Sequence, residues 1–79
     1  MEGSSQAGKL SAKLKELIAV AVAHITECPY CIDVHSKNAE KAGATKEQLS
    51  EAILVAAAVA AGGAYTHIAN MIESYGAEE

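Results

Sequence analysis

Two stretches of this 79-residue chain, Leu17 to Ala23 and Ala52 to Ala61, contain no polar residue. Around the first, Leu10, Leu14, Leu17, Ile18, Ala21, Val22 and Ile25 recur at helical spacing and form one stripe. The opposite side carries Ala19, Val20 and Ala23, so from Leu17 onward this helix is apolar all round, which implies burial on every side. A monomer of this size buries only about 60% of the surface its unfolded chain exposes. Yet 51% of the residues are hydrophobic, alanine is frequent, and Trp and Phe are absent. Small apolar residues make thin cores but allow close helix approach. The surplus apolar surface points to burial between subunits, a common way for small scaffolds to gain stability.

The charge balance excludes some roles. The net charge is -4, and all six basic residues are lysines. A nucleic-acid binder usually shows a basic stripe with planar, bidentate arginines, so no nucleic acid is expected. No basic segment followed by an apolar core and a cleavage site opens the chain. Both apolar runs are shorter than the ~20 residues that cross a bilayer, so no membrane role is expected. The expected setting is soluble and cytoplasmic. In a reducing compartment, two cysteines three residues apart read as catalytic or metal-binding rather than as a structural staple.

The pattern predicts an all-α fold of about four helices in a single domain over residues 10–79, after a mobile tail over residues 1–9. The first helix runs from about Ser11, a good N-cap, to Glu27. The second starts at Pro29, which suits the first helical position and puts Cys28 at the N-cap. Cys28, Cys31, Ile32, His35, Ala39 and Ala42 share one face, while Asp33, Lys37, Glu40 and Lys41 belong mostly to the other. Gly43 is a natural left-handed terminator. Thr45 to Gln48 reads as a capping box for the third helix. Gly62-Gly63 is expected to break or kink that helix, or to let another backbone come close. A fourth helix follows, with Tyr65, Ile68, Ala69, Ile72 and Tyr75 as its stripe and Gly76 at its end, before an acidic tip.

Chemistry centres on Cys28-Pro29-Tyr30-Cys31. The thiolate is the nucleophile, and unpaired amides at a helix N-terminus favour it. The i, i+3 spacing across the first turn brings the sulfurs within reach of a disulfide. The plain alternative is a pair of cysteines packed as small hydrophobes. His35, four residues after Cys31, is its neighbour on one helix face and could take or return a proton. A packed, inert histidine is the competing reading. Glu16 is exposed, or pairs with Lys13, or turns inward to orient His35 or hold a proton. His24 is expected to be a packed or capping histidine near a helix C-terminus. Tyr30 would shield the disulfide or donate a hydrogen bond, and Tyr65, His67 and Tyr75 read as core or interface. A zinc site could be assembled on paper from Cys28, Cys31, His35 and His24. No second C-x-x-C or His-x-x-x-His pair supports it.

The order and spacing of Glu16, Cys28, Cys31, His35 and Gly43 resemble the AhpD-like alkylhydroperoxidase branch of the carboxymuconolactone decarboxylase family. The segment Leu10 to Leu17 resembles the lead-in to that family's glutamate. Gly43-Ala44-Thr45 with Glu47, then Glu51-Ala52, resembles the stretch after the redox core, and Ala60 to Ala64 its closing Gly-Gly segment. The resemblance covers about residues 10–70. It implies an all-helical oligomer, with a hexamer expected for a short member and a trimer the alternative. It implies that Cys31 attacks, that Cys28 resolves, and that Glu16 and His35 form a proton relay. The expected substrate is a peroxide or disulfide and the expected reductant an external dithiol, and the residues imply neither haem, flavin nor metal. Longer members carry a histidine just before the second cysteine where this chain has Tyr30, so part of their proton network is expected to be missing. Members that act as decarboxylases use the fold without the cysteine pair.

Overall fold

The computed structural model describes residues 8–76. They form four helices: α1 (Ala12–Thr26), α2 (Pro29–Lys41), α3 (Lys46–Thr66) and α4 (Ile68–Gly76). No strand occurs among the described residues. Residues 1–7 of the expected tail and the acidic tip over residues 77–79 lie outside them, while Gly8 and Lys9 are exposed and non-helical.

Local signals set the helix ends. Ser11 caps α1, its Oγ accepting from the Leu14 amide at 3.1 Å. Glu27 closes α1 in the left-handed region at φ 56°, and the Cys28 amide reaches back to the Ala23 carbonyl. That tight reversal sets Cys28 directly at the N-cap of α2. Gly43, at φ 98°, ends α2 with amides of Gly43 and Ala44 returning to the carbonyls of Glu40 and Ala39. A Cβ on Gly43 would meet nothing within 4 Å. Gly43→Ala therefore tests the backbone conformation alone, and thermal unfolding should show a loss of roughly 1–2 kcal/mol, the cost of holding an L-residue there. Thr45 and Gln48 exchange the two bonds of the capping box, both at 3.0 Å.

Of the expectations at Gly62-Gly63, the break is corrected: α3 passes through both glycines and stops at His67. Each glycine costs a helix only about 1 kcal/mol against alanine, and the flanking alanines propagate it. The stop is made by side chains instead. The Gly63 carbonyl accepts from His67 Nδ1 at 2.6 Å and from Thr66 Oγ1 at 3.1 Å. The His67 amide turns to the Ala64 carbonyl, a tighter i to i+3 bond.

α1 packs on α2 with one side and on α3 with another. Between α1 and α2 lies a small core of Val20, Ala23 and Ala39, which also encloses Glu16 and His35. The expected burial of α1 on every side is met within the single chain on one side only. The large stripe, with Leu14, Ile18, Val22 and Ile25, is exposed, and the side carrying Glu16, Val20 and Ala23 is buried. Ala23 and Ala39 let the two helices come close, and Glu16 with His35 satisfy each other, so a polar pair can be enclosed there. The stripe instead joins Ala52, Val55, Ala56, Val59 and Ala60 of α3 in an open apolar groove of about 530 Å³.

No residue of α3 or α4 is buried. Tyr65, His67 and Tyr75 are exposed, so none of them belongs to a core within the chain. The radius of gyration, 16.9 Å, exceeds the about 12 Å of a compact chain this long. From Ala52 to Ile72 there is no Asp, Glu, Lys or Arg. With α3 uninterrupted at the glycines, the stretch Lys46–Gly76 is long and apolar enough, by length and composition, to cross a membrane. The run Ala52 to Ala61 alone understates it.

Candidate active site

The site is built where α1 turns back into α2. Cys28 has extended backbone and stands at the N-cap, and Pro29 opens the helix where no amide is needed. The Cys28 Sγ accepts from the Cys31 amide at 3.3 Å, the capping bond a serine oxygen makes elsewhere. Cys28 and Cys31 are joined as a disulfide, with Cα atoms 5.3 Å apart. Both residues are half-buried, while Tyr30 between them is 77% exposed. Tyr30 is thus turned to solvent rather than shielding the pair.

One helical turn further along α2 stands His35, buried on the side facing α1. Its Nδ1 lies 2.7 Å from Glu16 Oε1. The N–H donates to the carboxylate, which fixes the ring and leaves Nε2 as its acceptor in the neutral form. Glu16 is only 4% exposed. The inward alternative for Glu16 therefore holds, and the pairing with Lys13 does not. Two pairs are in contact, Glu16 of α1 with His35 of α2, and Cys28 at the N-cap of α2 with Cys31 in its first turn, the second pair one helical turn before His35.

His24 does not join them. Its Nδ1 donates to the Val20 carbonyl of its own helix at 2.8 Å. Among the described residues, no three of His, Cys, Asp and Glu are grouped so as to hold a metal ion.

Asn38 carries no motif of its own, and Lys41 belongs mostly to the face of α2 opposite the cysteines. Both line a crevice that also exposes Glu16, with Ala12 and Ala42. Asn38 lies three residues after His35, so the i, i+3 relation was the available signal.

A neutral amide in place of the carboxylate separates orientation from proton handling. Gln at position 16 can still accept from His35 Nδ1 but cannot hold a proton. Glu16→Gln is expected to slow oxidation of the reduced cysteines by about 10²-fold, the lower scale of acid–base contributions. A single-turnover measurement of thiol loss against peroxide checks this, with thermal unfolding as the control for folding.

Comparison with known proteins places this geometry in context. A model of the carboxymuconolactone decarboxylase family matches residues 1–74. Uncharacterized protein 4 in the cox locus of Paracoccus denitrificans is 58% identical over 60 residues, covering 76% of this chain and 54% of its own. An uncharacterized protein of Cupriavidus necator is 42% identical over 55 residues, covering 70% of this chain and 49% of its own. The chain thus spans about half the length of these two relatives. Alkyl hydroperoxide reductase AhpD of Mycobacteroides abscessus is 47% identical over 45 residues, 57% of this chain and 26% of that protein. With a family match over nearly its whole length, the chain belongs to the carboxymuconolactone decarboxylase family.

Proposed function

We propose that this protein is a thiol-dependent peroxidase that reduces hydrogen peroxide or organic hydroperoxides. The observation that carries the reading is the buried Glu16–His35 pair, one turn along α2 from a cysteine pair at a helix N-terminus.

In the reduced protein, His35 Nε2 takes the Cys31 thiol proton while Nδ1 passes its own toward Glu16. The Cys31 thiolate attacks the O–O bond. One oxygen stays on sulfur as sulfenic acid, and the other leaves as alkoxide or hydroxide, which receives the proton back from Nε2. The Cys28 thiol then attacks the sulfenic acid, forming the disulfide and releasing water. An external dithiol restores both thiols by exchange and is itself oxidised to a disulfide. The cycle fits a cytoplasmic setting, where such donors are present.

A second reading, a disulfide reductase, draws support from Cys28. Its sulfur holds the N-cap and accepts the Cys31 amide, a position that stabilises a thiolate for exchange. The test is the ratio of rates on an alkyl hydroperoxide and on a small aromatic disulfide, at equal concentrations of enzyme and dithiol donor. Faster peroxide turnover supports the peroxidase, and faster disulfide turnover with little peroxide consumption transfers the reading to the reductase.

The protein is proposed to work as a homo-oligomer. A second copy is the occupant that best fits the groove between α1 and α3, because it brings a complementary apolar helix. A bilayer suits this surface less well. The uncharged stretch is interrupted at His67, carries Asn70, and is followed by Glu73, and such groups are costly in hydrocarbon.

A further inference from the structure

The crevice over Glu16 has no part in the thiol chemistry described so far. It measures about 390 Å³ and is lined by Ala12, Glu16, Asn38, Lys41 and Ala42. The antiparallel packing of α1 on α2 orders the groups in space. Near Ala23 stand the cysteines, then the Glu16–His35 bond, and then, toward Ala12, the crevice. Along α2 the cysteine end and the crevice end are about ten residues apart, or ~15 Å of helix.

Glu16 touches both compartments. Its Oε1 is held by His35 Nδ1, while its side chain forms part of the crevice wall. Among the described residues no buried side-chain nitrogen or oxygen lacks a partner, so the second carboxylate oxygen is either bonded or reached by solvent. The crevice is where Glu16 forms part of the surface, beside the polar Asn38 and the exposed cation Lys41.

We propose that this crevice is a proton entrance of the site, where the Glu16–His35 pair exchanges protons with bulk water. The role assigned to the pair rests on the peroxidase reading, but the exchange route does not depend on turnover. The step is a proton transfer alone. Once Nε2 has taken up a proton, the imidazolium passes its Nδ1 proton to Glu16 and is left neutral, the carboxyl releases that proton to crevice water, and the reverse sequence restores the pair. No electrons move. The oxidant can then be admitted at one end of the α1–α2 pair while protons equilibrate at the other.

The test follows the His35 ring proton by NMR in protein labelled with ¹⁵N-histidine. The His24 Nδ1 proton, bonded to the Val20 carbonyl, is the internal reference. Ala12→Leu narrows the crevice, and Lys41→Ala widens it. In the first, exchange of the His35 Nδ1 proton with water should slow by about tenfold, the scale of a modest change in local opening. In the second it should quicken, with His24 unchanged in both. Unchanged His35 exchange in both variants would overturn the proposal. So would a change in His24 of equal size, which would report general loosening instead. Tyr30→Ala, at the cysteine end, should leave His35 exchange as it is, and acceleration there would place the proton route at the thiols. Failure of the wild-type protein to consume peroxide would end the peroxidase reading without altering these exchange results.

Discussion

Cys31→Ser is expected to show no fast reaction with peroxide, a loss on the order of 10³-fold or more, the scale seen when a nucleophile is removed. Serine keeps the size and the helical position, so folding should survive. It cannot form a comparable nucleophile beside His35. Cys28→Ser should behave differently. Its Cys31 still attacks once, but with no second thiol the product stops at sulfenic acid or at a mixed disulfide with the donor. Catalytic turnover should vanish in both variants, while single-turnover reactivity vanishes only in the first. Serine at position 28 can still cap α2 through its hydroxyl, so that variant should fold. Mass spectrometry after a short exposure to hydroperoxide distinguishes the two. If Cys31→Ser reacts quickly and Cys28→Ser is inert, the roles are inverted, and the N-cap sulfur is the nucleophile.

Val59→Glu should dissociate the oligomer. Val59 is 71% exposed in the single chain and lines the apolar groove with Val55 and Ile18. In a chain that worked alone, a glutamate there would be a surface change of little consequence, within about 0.5 kcal/mol. Pressed against a second copy, it would be an unpaired charge in an apolar interface, costing about 3 kcal/mol or more. That is at least a hundredfold in each association constant. Sedimentation at micromolar protein should show the wild type as an assembly and Val59→Glu as smaller species. A wild-type monomer in detergent-free buffer, or an unchanged mass in the variant, would contradict self-association. Flotation of the wild type with neutral lipid vesicles would point to the bilayer as the cover.

The helix ends were legible because each depends on a few adjacent residues. Ser11, Pro29, Gly43 and the Thr45–Gln48 box act where the sequence puts them. The cysteines and His35 were legible for a related reason, since their spacing lies on one helix. Two features could not be read in this way. α1 is apolar on both sides from Leu17 to Ala23, so periodicity cannot say which side meets α2. The outcome depends on the small contacts at Ala23 and Ala39 and on a polar pair 19 residues apart in sequence. The end of α3 is not set by Gly62-Gly63 because glycine is a weak local signal, whereas the His67 ring and the Thr66 hydroxyl meet on one carbonyl. The Glu16 crevice needs both helices in place before it exists.

The most direct test of the central claim is the intact mass of the fully reduced protein before and after one equivalent of an alkyl hydroperoxide. The peroxidase account predicts rapid loss of the two thiol hydrogens with no oxygen retained, because Cys28 converts the Cys31 sulfenic acid to the disulfide. An unchanged mass over many minutes, with thiols that still react promptly with a disulfide dye, would contradict it.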